Sequence, residues 1–81
     1  MNNNNSVKEL RFAGIDTWNR PVFKDNDGCF YGSIDIIFSY GAQEKEVLAS
    51  VDEKDLLFFG GSFDCEPIGT PAGNIHIIRE E

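Results

Sequence analysis

Cysteine, histidine, methionine and tryptophan are all scarce in this chain: two, one, one and one in 81 residues. A structural zinc site takes four ligands, usually in close pairs such as C-x-x-C. Cys29, Cys65 and His76 are the only soft ligands, and none lie close together in sequence. No metal site and no cofactor are therefore expected. A Cys–His catalytic pair needs only spatial adjacency. Cys29, however, follows a turn at a strand start, and His76 stands between Ile75 and Ile77 in a strand, so surface or satisfied-core roles are expected for them. The two cysteines are read as reduced thiols of a cytoplasmic protein.

Long apolar runs are missing too. Nothing approaches the roughly 18 residues that a membrane helix needs, and no charged-then-apolar segment opens the chain, so neither a span nor a signal peptide is read. Basic residues are few, seven against fourteen acidic, for a net charge of −7. The imbalance is uneven: residues 1–24 sum to +2 and residues 25–81 to −9. Direct nucleic-acid binding needs cations on the phosphates, so this balance argues against it. A basic protein partner is compatible with it.

Aromatic residues are plentiful: seven Phe, two Tyr and the Trp. Each ring can remove about 150–250 Å² from water, enough to build a core without staples in a chain this small. Met1–Ser6 is an Asn run with nothing to bury and reads as a disordered tail; residues 7–81 read as one domain.

The longest patterned stretch is Cys29–Tyr40, with Phe30, Gly32, Ile34, Ile36, Phe38 and Tyr40 on one parity and Tyr31, Ser33, Asp35 and Ser39 on the other. Alternation of this kind predicts a long strand with one apolar face. Gly32 interrupts that face, as at a bulge or where another backbone comes close. A first strand is expected from Val7, with Leu10 and Phe12 inward, and a second over Arg20–Lys24, where Pro21 requires an edge or a strand start. Asp16–Asn19 reads as a turn, and Asp25-Asn26-Asp27-Gly28 as the hairpin connection between the second and third strands. Residues 46–51 share a parity through Val47, Ala49 and Val51 and are read as a strand, with a helix as the other option. Asp52–Gly61 is read as a short helix capped by Asp52 and stopped by Gly60 or Gly61. Ser62–Asn74 is a loop with Phe63 and Ile68 as its core contacts, and Ile75–Ile78 closes the fold as a strand. The class is α+β: a small, mainly antiparallel sheet of about five strands, curled toward a barrel, with one short helix.

No catalytic constellation is legible. Aligning Gly28 with the glycine of an EF-hand loop places Phe23 and Ile34 where acidic ligands are required, so the motif fails at both ends. The glycine pairs match neither a P-loop nor a dinucleotide fingerprint. The expected function is a small acidic, non-enzymatic protein-binding module. Trp18 lies in a polar turn with Arg20 two residues on, and both are types enriched at binding hot spots. With them go Asp52, Glu53, Asp55, Asp64 and Glu66, five carboxylates within 15 residues offset by Lys54 alone. The alternative is a nucleic-acid mimic that occupies the basic channel of a DNA- or RNA-binding enzyme, an anti-defence inhibitor of phage type.

Overall fold

Leu10 and Phe12 alternate with charged residues, and this segment becomes the longest strand, β1 (Val7–Ile15). The structure is a computed structural model that describes residues 7–39, 41–71 and 73–79; the proposed Asn-rich tail and Tyr40 lie outside the described residues. β1 pairs antiparallel with β2 (Pro21–Lys24), and its register shifts between Phe12 and Gly14. Gly14 adopts φ +148°, a conformation that side chains resist, and this lets the strand kink there. Pro21 holds the first position of β2 and so removes no ladder donor from the strand interior. The Asp25–Gly28 turn closes as expected, with Gly28 at φ +89° and the Asp25 amide donating to Cys29 O at 2.9 Å.

The central stretch departs from its predicted length and face. β3 covers only Phe30–Gly32. Tyr31, counted above among the polar parity, is the residue that enters the core, because its hydroxyl finds the Asp25 carboxylate at 2.9 Å and its ring is free to pack. Ser33 then turns the chain out of the sheet, its Oγ accepting from the Asp35 and Ile36 amides at 3.3 Å. Ile34, expected on the buried face, is 47% exposed; Ile36 and Phe38 still pack against the core.

Helix and strand are exchanged in the next segment. Residues 46–51 are not a strand: α1 spans Glu44–Ser50. Glu44 and Glu46 sit in its first turn, where the dipole favours anions. Residues 52–61 are not an α-helix but a 3₁₀ turn, Glu53–Asp55, followed by β4 (Leu57–Gly60). Asp55 supports that turn from within, accepting the Asp52 amide at 3.0 Å. In Leu56–Phe59 the apolar residues run without a break, and such a run fits a covered strand as well as a helix.

β5 (Asn74–Ile77) pairs parallel to β1, giving the order β4-β3-β2-β1-β5. The sheet is mixed and curls into a half-barrel with α1 against it. Leu10, Phe23, Tyr31, Ile77, Leu56 and the helix residues Val47 and Leu48 form the core. Each such side chain contributes about 1.5–3 kcal/mol on burial. Phe63 reaches the sheet, edge-on to Phe30 at 5.8 Å, whereas Ile68 is 69% exposed, its backbone bonded to Phe58 and its side chain lying over Gly60 at the sheet edge. Among the described residues no helix is long and apolar enough to cross a membrane.

Candidate functional site: the Trp18 loop

Four residues separate the anionic Asp16 from the cationic Arg20, and the turn between them folds the two together. Both are buried, Asp16 completely. The Arg20 Nε and Nη2 groups each reach Asp16 Oδ2 at 2.7 Å. Asp16 Oδ1 accepts the amides of Trp18 at 3.0 Å and Arg20 at 2.9 Å. The same guanidinium donates to Cys65 O at 2.9 Å and lies 4.6 Å from the centre of the Phe59 ring. A charge taken from water is tolerable only when its partners are in place, and here they are.

This network fixes the turn above it. Asn19 sits at φ 64°, a left-handed conformation that Asn tolerates better than most residues. It grips Phe38 twice, accepting the Phe38 amide at 2.9 Å and donating its side-chain amide to Phe38 O at 2.9 Å. Asp64 holds the other side, accepting both the amide (3.0 Å) and the hydroxyl (3.1 Å) of Thr17. On top of this braced loop Trp18 is 60% exposed, its ring centre 5.6 Å from Arg20 Cζ. Ile37, next to the gripped Phe38, is equally exposed at 60%.

Arg20 and Trp18 were paired above as surface anchors, and they occupy different levels. Trp18 faces solvent; Arg20 is its buried support. The five carboxylates also divide. Asp64 and Glu66 are exposed beside the Trp18 loop. The other three are on the 3₁₀ turn, which meets β5 at Ile77, the partner of Leu10. From Leu10 to the end of β1 is roughly 15 Å of strand, beyond a Debye length of about 8 Å at physiological salt. Asp52 lies 3.7 Å from Arg79 and 3.9 Å from Lys54, so that group is partly neutralised. Glu53 is committed inward: its Oε2 accepts the Ile77 amide at 2.8 Å and Arg79 Nη1 at 3.3 Å. Burial pushes the Glu53 pKa up, but the Ile77 amide, its own amide and Arg79 outweigh this and hold it below the usual value.

Away from this loop, a concavity of about 200 Å³ is lined by Lys8, Asp25, Cys29, Tyr31, Phe58 and Thr70. Its acid is spent: Asp25 accepts from the Asp27 and Cys29 amides (2.8 and 2.9 Å) and from the Tyr31 hydroxyl. Burial raises the Asp25 pKa, and these donors, the Cys29 amide foremost, bring it below the ordinary value. Burial and the neighbouring Asp25 together push the Tyr31 phenol well above its usual range. Lys8 pairs with Asp27 at 2.9 Å. Cys29 and Cys65 are free thiols, Cys65 Sγ donating to Phe59 O, and His76 Nδ1 lies 3.4 Å from Glu53. No group of three or more His, Cys, Asp or Glu side chains among the described residues is placed to hold a metal.

Comparison of the chain with protein-family models, with curated proteins and with solved structures finds no match in any of the three.

The sequence signal for the loop was the Asx-rich turn around a lone Trp. Ile37 carries no signal in the sequence beyond its place in an alternating stretch; its exposure follows from the chain leaving the sheet after Gly32.

Proposed function

We propose that this chain is a small protein-binding module whose anchor is Trp18, presented on the braced turn and flanked by the carboxylates of Asp64 and Glu66. Exposed Ile37 stands on the neighbouring segment that Asn19 holds through Phe38. One observation carries this reading: a large aromatic side chain lies 60% exposed on a loop whose backbone is held by a buried ion pair and by Asn19 and Asp64. An exposed ring on mobile backbone loses entropy on binding, whereas one on a fixed backbone loses little, so such rings act as hot spots. The acidic rim favours a partner with an apolar recess bordered by Lys or Arg. Rim charges of this kind act mainly on the association rate.

The nucleic-acid-mimic reading has less behind it. A mimic needs a continuous row of carboxylates, and here the two groups stand roughly 15 Å of strand apart, with Glu53 turned inward and Asp52 beside Arg79.

Affinity capture from the native cell, followed by binding kinetics with the captured protein, tests the proposal. Trp18→Ala is expected to weaken binding by about 2 kcal/mol or more, a roughly 30-fold loss, while leaving thermal stability nearly unchanged. The Asp64→Asn/Glu66→Gln variant is expected to slow association and flatten its salt dependence, with dissociation little altered. Wild-type affinity in Trp18→Ala contradicts the proposal.

A further inference from the structure

The concavity beside Tyr31 lies at the end of the sheet where β2 turns into β3. Alternate residues of a strand share a face, so Lys8 stands on the face of β1 that carries the buried Leu10. Cys29 shares a parity with Tyr31, and both Cys29 and Phe58 pack against the core. The hollow is thus an open continuation of the core at one mouth of the half-barrel; α1, whose Val47 and Leu48 join the core, contributes none of its lining. Barrel mouths are a favoured place for small-molecule sites. At about 200 Å³ it exceeds the roughly 150 Å³ that holds a benzene ring and falls short of the roughly 300 Å³ where drug-sized pockets begin. Its capacity is one ring with a short substituent. The walls suit a ring, since Tyr31 and Phe58 stand 5.3 Å apart at 59° and aromatic groups pack well in such tilted arrangements.

The polar end of the hollow is more selective. Asp25 is spent as an acid or base, but not as an acceptor. An ionised carboxylate has about four lone-pair positions. The Asp27 and Cys29 amides take Oδ1 and the Tyr31 hydroxyl takes one position on Oδ2. The remaining position on Oδ2 has no donor among the described residues, and the Tyr31 oxygen, its proton committed, can only accept. Lys8 and Asp27 cancel as an ion pair, which leaves the buried Asp25 charge to set the local sign. We infer that this concavity binds a single-ring molecule with one hydrogen-bond donor and no negative charge, in chemical class a phenol or an aryl amine. The ring lies among Tyr31, Phe58 and Cys29, and its O–H or N–H donates to Asp25 Oδ2. A ring without a donor would displace water from that oxygen and leave an anionic acceptor unmet, which is costly. The site is independent of the Trp18 reading, which concerns the loop beyond the other end of β1.

The test is a titration of the whole chain with phenol, toluene and benzoate, followed by the NMR shifts of backbone amides. Phenol and toluene match in size and differ in the donor; benzoate adds the negative charge. Phenol is expected to shift the Cys29, Tyr31 and Phe58 amides saturably and to bind about tenfold or more tighter than either of the others, the factor a hydrogen bond to a charged group supplies. In a merely apolar hollow toluene binds at least as well as phenol, and that order overturns the inference. So does a phenol response that fails to saturate, or one that moves the Trp18 loop instead. Thr70→Phe brings a ring into the hollow from an exposed position on its wall and is expected to abolish the response. Undiminished phenol affinity in that variant overturns the inference. Should Thr70→Phe fail to fold, thiol alkylation of the wild-type protein decides. Saturating phenol is expected to slow the reaction of Cys29 and to leave Cys65, whose thiol donates to Phe59 O, unchanged; equal effects on the two thiols, or none, overturn the inference.

Discussion

Arg20→Ala is expected to destabilise the protein by about 3–5 kcal/mol, the usual cost of removing one member of a buried ion pair. At about 0.05–0.15 kcal/mol per residue, an 81-residue domain has roughly 4–12 kcal/mol in all, so the variant sits near the unfolding threshold. The cost arises from what stays behind. Asp16, fully buried, keeps the Trp18 and Arg20 amides as donors but loses the guanidinium that neutralises it. Cys65 O loses its donor and Phe59 loses its stacked cation at the same time. Arg20→Lys restores the charge without the planar fork and should recover only part of the loss. Denaturant unfolding of the three proteins measures this series. An Arg20→Ala midpoint equal to the wild type would mean that the pair does not hold the loop.

Gly32→Ala is expected to cost about 1–3 kcal/mol, the range for forcing an extra methyl group into a packed core, and to fall at the upper end. A Cβ at that position would lie 2.7 Å from Phe59 Cζ and 2.7 Å from Pro21 O. The carbonyl belongs to β2 and cannot swing away, so Phe59 has to move, and Phe59 is the ring under Arg20. Gly28→Ala serves as the comparison: its Cβ would meet nothing within 4 Å, and its cost comes from φ +89° alone. Thermal unfolding distinguishes the two sites. In Gly32→Ala the loss should be accompanied by a changed environment at Trp18, two rings away; in Gly28→Ala it should not.

Features whose chemistry is local were legible in the sequence. The Asp-Gly hairpin, the Pro21 strand start, the Asp16–Asn19 turn and the close approach at Gly32 each depend on a residue type with one strong backbone preference. Features decided by tertiary packing were not. Val47, Leu48 and Val51 suit a helix face, and Val47, Ala49 and Val51 suit a strand face; contact with Leu10, Phe23 and Ile77 decides between them. The parity of β3 was misread because Tyr31 was counted as polar, although a Tyr whose hydroxyl has a partner buries as well as Phe. At the site, Trp18 was visible as an oddity in a polar turn, but the depth of Arg20 was not. An acid and a base four apart can be a surface pair or a buried one, and the Phe59 ring and the Cys65 carbonyl that cover this pair come from residues some forty positions away. Sequence proximity likewise grouped five carboxylates that the fold distributes between two ends of β1.

The presented Trp18 can be tested most directly through its own fluorescence, since it is the chain's single tryptophan. The free protein should emit at the long wavelengths of a solvated indole, and addition of the captured partner should shift the emission to shorter wavelengths, saturating at one stoichiometry. Binding that leaves the emission of Trp18 where it was in the free protein would contradict the account.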